Sequence, residues 1–173
     1  MIPPLDDLHE DLLRHWRGLV PSGDAIPPRS ALDPLDVPRH LSSLILTEVV
    51  ENDIRFRLVG TDMVEAWGAD FTGEFLSDIM SGDYHDFIHG LFFACVEHKA
   101  PVVSRSRFQW DRGRTVDTVR LMLPFSATDA PNNVAFVLVC QLFDYERAGP
   151  VRPSVRTLRD GHFEEISRMI LTV

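Results

Sequence analysis

The chain has 173 residues, 45% of them hydrophobic and 25% charged, which suits one globular domain with its own core and short appendages. A formal net charge of −9 argues against partners that bind through phosphate neutralisation, so neither nucleic acid nor an anionic membrane surface is expected. The longest apolar run, Val134–Cys140, falls far short of the roughly 20 residues that cross a bilayer.

The first residues, Met1 to Asp7, carry neither the basic region nor the apolar core of a signal peptide. Leu5, Leu8, Leu12, Leu13, Trp16, Leu19 and Val20 then recur at helical spacing. Asp6, Asp7, Glu10 and Asp11 near the start of this helix, and Arg14 and Arg17 near its end, suit the helix dipole. Pro21-Ser22-Gly23-Asp24 stops it. From Ile26 to Pro38 the dense prolines predict a rigid, irregular connector, and Leu32, Leu35, Val37 and Leu41 are expected to pack on the domain. Residues 1–43 are thus read as an N-terminal helix and connector.

Residues 44–143 are read as the core. Leu44–Val50 and Ile54–Val59 form a hairpin across the tight turn Glu51-Asn52-Asp53. Gly60 breaks the second strand, Asp62 is placed to cap a short helix over Asp62–Trp67, and Gly68 closes it. A turn and a further helical turn follow within Phe71–Ile79. Tyr84, Phe87, Ile88, Leu91, Phe92 and Cys95 mark the clearest amphipathic helix of the chain, with Asp83 as its cap. Val102–Trp110 is a strand with Ser104, Ser106 and Phe108 on one face and Arg105, Arg107 and Gln109 on the other. Asp111-Arg112-Gly113-Arg114 is a hairpin turn leading to a strand over Thr115–Leu123, with Val119, Leu121 and Leu123 facing in. After the polar loop at Ala127–Asn133, Val134–Phe143 is apolar but for Gln141, as in a strand covered on both faces. Residues 144–173 are read as a linker carrying Gly149, Pro150 and Pro153, then a C-terminal helix with the stripe Phe163, Ile166, Met169 and Ile170.

Two strands, then helices, then three strands is not a βαβ alternation. It predicts an α+β fold: a five-stranded antiparallel sheet with helices on one face, plus flanking N- and C-terminal helices.

With Trp16, Pro28-Arg29, Asp33-Pro34, Arg57-Leu58-Val59-Gly60-Thr61, Gly68, Asp70, Thr72-Gly73 and Leu121-Met122-Leu123-Pro124 in this order, the chain resembles a family of small proteobacterial PAS-domain proteins that have a helix ahead of the core. The resemblance extends from about Leu5 to Phe143. It implies a PAS fold and sensory or regulatory duty in signal transduction, often through self-association. It implies no common cofactor, so the cofactor is left unknown.

Trp67, Tyr84, Phe87, Leu91, Ser106, Phe108, Leu121 and Leu123 either line a cavity for a small apolar or amphipathic ligand or fill a closed core. Arg57 belongs with them because it lies in the family motif; its carboxylate partner would be Asp70. Arg105, Arg107 and Arg120, also on strands, could bind a carboxylate or phosphate bidentately; the preferred reading is a solvated outer face paired with the surplus acids. His85 and His89 are spaced to share a metal, but they lie away from the apolar stripe with no accompanying motif, so no metal site is expected. For the same reason His85, His89 and His98 make poor haem ligands, and Cys95 lacks the neighbours of a flavin-reactive cysteine. Cys95 and Cys140 sit in apolar runs and read as small core hydrophobes of a reducing compartment, the cytoplasm. No nucleophile with a base and no G-x-S-x-G is present, so no catalytic residue and no enzyme is expected. With no kinase, cyclase or DNA-binding segment, any output would pass through an unidentified protein partner. The terminal stripes either pack on the domain itself or pair across a two-fold axis, and a homodimer is expected. The rival readings are a ligand-independent interaction module and, more remotely, a small enzyme on a cone-like α+β fold.

Overall fold

A computed structural model of the chain describes residues 5–111, 114–144 and 162–172. The side chains of Trp110 and Asp111 are not among those described. The N-terminal helix, α1 (Asp7–Leu19), is capped by Asp6, whose carboxylate accepts the Leu8 N–H at 3.0 Å. The connector packs on the domain in short 3₁₀ turns, and the Ser126 N–H bonds the Pro27 carbonyl at 2.9 Å. Ile26, Leu32 and Val37 are buried, whereas Leu35 is 83% exposed.

The hairpin β1 (Leu44–Val50) and β2 (Asp53–Val59) leads into α2 (Thr61–Trp67), α3 (Leu76–Ile79) and α4 (Gly82–His98). Next come β3 (Val102–Asp111), β4 (Arg114–Ala127), β5 (Ala130–Asp144) and β6 (His162–Ile170). The six strands form one antiparallel sheet in the order β2-β1-β5-β4-β3-β6. Asp111 pairs with Arg114, as a hairpin there requires; the two central turn residues, 112 and 113, lie outside the described residues. So does the expected linker at 145–161.

Gly68 closes α2 in the left-handed conformation at φ 71°. Asp62 does not cap α2: the N-cap is Gly60, and the Asp62 carboxylate accepts the hydroxyls of Ser42 (2.7 Å) and Ser43 (3.0 Å). Gly60 is required for another reason. A Cβ there would run into the backbone carbonyl oxygens of Ser42 and Leu41, where the chain crosses the end of β1. Likewise α4 is capped from Ser81, with Asp83 in its first turn. The outer edge of β2 is covered by residues 73–75: Phe56 N–H bonds the Glu74 carbonyl (2.9 Å) and Gly73 N–H bonds the Phe56 carbonyl (2.7 Å).

The expected C-terminal helix is a sixth strand, paired with β3. The register slips between Arg105 and Ser106, so that Ile166 is an extra residue in β6. Before this bulge Phe163 faces α4; after it Met169 faces α1. The bulge changes the facing in mid-strand, and the apolar spacing therefore imitates helical periodicity.

Two apolar layers result. The core between the sheet and α2–α4 holds Ile54, Phe56, Met63, Leu76, Leu91 and Met122; the core under α1 holds Leu12, Trp16, Val103, Leu121, Leu123 and Phe125. The apolar stripe of α1 is therefore buried on the chain's own sheet, the first of its two expected alternatives.

Candidate ligand-binding site

On β4, Val116 and Met122 face α4 while Leu121, Leu123 and Phe125 face α1. Val119 shares the α1 side, beside Leu5 and His9. Val119, Leu121 and Leu123 thus face inward on the wrong side of the sheet for the expected pocket. Both faces of β4 are covered, so either parity satisfies the apolar pattern.

The α4 side holds a partly open cavity of about 40 Å³. Its walls are mainly apolar and include the expected Trp67, Tyr84 and Leu91, joined by Phe56, Met63 and Met122. Phe87 and Phe108 are buried in the same core but do not line the void. They flank it in an aromatic cluster: the Tyr84 ring lies 5.5 Å from Phe108 and 5.3 Å from Phe163, and Phe87 stacks on Phe163 at 4.8 Å. Trp67 meets Phe143 edge-on at 5.5 Å.

The polar part of this cavity is Arg120 with Gln141 and the Tyr84 hydroxyl. Arg120 is only 4% exposed, which corrects its expected place on a solvated outer face. Its Nη1 donates to Ser106 Oγ at 2.7 Å and its Nη2 to the Tyr84 hydroxyl at 3.3 Å. Both partners are neutral, and among the described residues no carboxylate forms an ion pair with Arg120. Burial pulls the Arg120 pKa down from its usual value and pushes the Tyr84 phenol up. Ser106, one of the expected ligand residues, thus reaches the site through Arg120. The neighbouring Ser104 is cross-strand from Arg120, fully buried, and its Oγ has no hydrogen-bond partner.

Arg120 is not among the preferred ligand residues of the sequence because a strand arginine is most often outside. Counting back from the Asp111–Arg114 pair would not have found it: that count sets Arg120 opposite Arg105, and only the register shift between Gln109 and Asp111 brings it opposite Ser104 on the α4 face.

The other arginines differ. Arg57 stands at the outer face, its side chain 47% exposed, 3.5 Å from Glu48 rather than Asp70. Asp70 is occupied by the Thr72 N–H (2.9 Å) and hydroxyl (2.7 Å). Arg107 makes a bidentate pair with Asp117 at 2.6 and 2.8 Å. His85 contacts Asp86 at 3.0 Å, while His89 contacts the Asn52 carbonyl at 3.0 Å and stacks on Phe93 at 4.2 Å. No three His, Cys, Asp or Glu side chains converge among the described residues. Cys95 and Cys140 are free and buried; burial pushes the Cys140 thiol up to about 12 and that of Cys95 higher still, so neither is a ready nucleophile.

Among the described residues no helix is long and apolar enough to cross a membrane. A search of curated proteins finds no match to the chain. A family model described as PAS domain matches residues 7–139, from the start of α1 into β5. That match takes in most of the chain and both walls of the cavity, and the chain belongs to the PAS-domain family of sensory and regulatory signalling modules.

Proposed function

We propose that this PAS domain senses a small ligand held between α4 and the sheet, and passes the signal on through the elements that enclose it. The observation that carries this reading is the largely apolar cavity with a buried cation, Arg120, that has only neutral partners among the described residues. A ligand shifts such a module only if two arrangements of the wall differ in their affinity for it. The wall offers a route outward, since Tyr84 of α4 touches both Arg120 of β4 and Phe163 of β6. Trp67, Tyr84 and Leu91 are the proposed ligand-contacting residues, with Phe87, Ser106 and Phe108 as their support.

The test is native mass spectrometry and an absorption spectrum of freshly purified protein, followed by NMR titration with small anionic, neutral and cationic compounds. The reading expects a saturable binder whose shifts centre on Tyr84, Leu91 and Met122. A bare mass and no binder of any class would overturn it.

A second reading, a ligand-independent interaction module, draws on a different observation. The cavity is small, and β6 is an edge strand carrying exposed Ile166 and Ile170. On this reading the edge pairs with a second copy or with another protein. Sedimentation at rising concentration, with Ile166→Lys as control, separates the two.

A further inference from the structure

A guanidinium stripped of water costs several kcal/mol unless charge and hydrogen bonds replace the solvent. Arg120 has five N–H donors. Two meet neutral hydroxyls, those of Ser106 and Tyr84, and no described carboxylate completes the set. Beside it stands a second unfinished group, the buried Ser104 hydroxyl, directly cross-strand from Arg120 and without a partner. Arg107, on the other face, shows what the same side chain does when an acid is within reach: it takes Asp117 bidentately.

The space beside Arg120 limits what can complete it. About 40 Å³ exceeds the roughly 10–15 Å³ that a water requires, and is far below the roughly 300 Å³ of a site for a drug-sized molecule. Apart from Arg120, Gln141 and Tyr84 the lining is apolar, with Leu91, Met63 and Phe56 in it, and holds no second charged group.

We propose that the cavity is a binding site for a short-chain monocarboxylate, its carboxylate on the Arg120 guanidinium and its few carbons against Leu91, Met63 and Met122. The planar fork of the guanidinium suits two carboxylate oxygens, and the apolar wall suits a short alkyl body. A dicarboxylate would leave its second charge against apolar side chains. This inference rests on the ligand-sensing reading above and narrows it to one chemical class.

The experiment compares acids with their own amides, which match in size and lack the charge. Acetate and propionate are titrated against acetamide and propionamide at constant ionic strength, with sodium chloride as reference, by NMR and by thermal unfolding. The expected result is that the acids bind at least about 10-fold more tightly than the amides. Arg120→Met should bring acid and amide to the same affinity, and Arg120→Lys should keep part of the difference. If Arg120→Met does not fold, the acid–amide comparison on the native chain still decides. Amides that bind as well as acids would overturn the carboxylate assignment and leave the ligand-sensing reading standing. Chloride that saturates the same resonances at the same concentration would also overturn it, in favour of a halide site. Hexanoate binding more tightly than propionate would overturn the size limit. Failure of every acid and amide would overturn the inference, while a neutral or cationic binder from the wider titration would still keep the broader reading.

Discussion

The two faces of the sheet are covered in different ways. On the α1 face, Leu12, Leu13 and Trp16 close over Leu121, Leu123 and Phe125, and side chains fasten the helix to strand carbonyls: Trp16 Nε1 to Pro124 at 2.9 Å, His9 Nε2 to Cys140 at 3.1 Å. His40 from the connector reaches back to the Leu8 carbonyl at 2.9 Å. On the α4 face a cavity remains, and the buried cation in its wall, Arg120, bonds only neutral hydroxyls; unpartnered buried atoms occur on both faces, Ser104 Oγ on this one and His9 Nδ1 and His40 Nδ1 on the other. A buried polar group that bonds a carbonyl specifies a docking geometry; a buried cation beside an apolar void is what the proposed ligand would complete. The same strand, β4, serves both purposes by alternation, with Leu121 and Leu123 turned to the clamp and Arg120 and Met122 to the cavity.

The largest effect should come from breaking the clamp. Trp16→Ala removes a fully buried indole and its bond to Pro124, and is expected to cost about 3–5 kcal/mol in urea unfolding. The folded fraction should keep its affinity for acetate, because α1 contributes nothing to the cavity wall. Leu91→Ala acts on the other face and should cost about 2–5 kcal/mol. Unlike Trp16→Ala, it enlarges the cavity, and it should move the preference from acetate towards longer acids.

A smaller effect separates the faces by pH. Burial, opposed in part by the Cys140 carbonyl and Asp6 and reinforced by His40, holds the His9 pKa below its ordinary 6.5. The unfolded chain therefore takes up the proton first, so the contribution of His9 is complete above pH 6.5 and declines as pH falls below it. Arg105 and Asp117 line the same groove beside His9. Urea midpoints at pH 7.5 and 5.5 should show this loss, and His9→Gln should reduce it. The smallest effect is expected from Ser104→Ala, which deletes a buried hydroxyl that has no partner and should change stability by less than about 1 kcal/mol.

Legibility in the sequence followed how strongly each element constrains its own pattern. The helices α1 and α4, the β1–β2 hairpin and the Gly68 cap stood out because each has one buried face or one glycine at positive φ. β6 was read as a helix because a bulge at Ile166 breaks its alternation, and a bulge depends on the partner strand. The facing of β4 was misread because layers on both sides make either parity apolar. For the candidate site, Trp67, Tyr84 and Leu91 were within reach of helical periodicity, whereas Arg120 was not. Nothing local distinguishes an arginine that pairs with an acid on the far face, as Arg107 does with Asp117, from one buried between the sheet and α4.

The most direct test of the Arg120 site is an NMR experiment with ¹³C-labelled acetate on methyl-labelled protein. Intermolecular nuclear Overhauser effects should join the acetate methyl to Leu91 and Met122 on the α4 face. None should reach Leu121 or Leu123, which alternate with Met122 on the same strand but face α1. Contacts to Leu121 and Leu123, or none to Leu91 and Met122 while acetate is bound, would contradict the account.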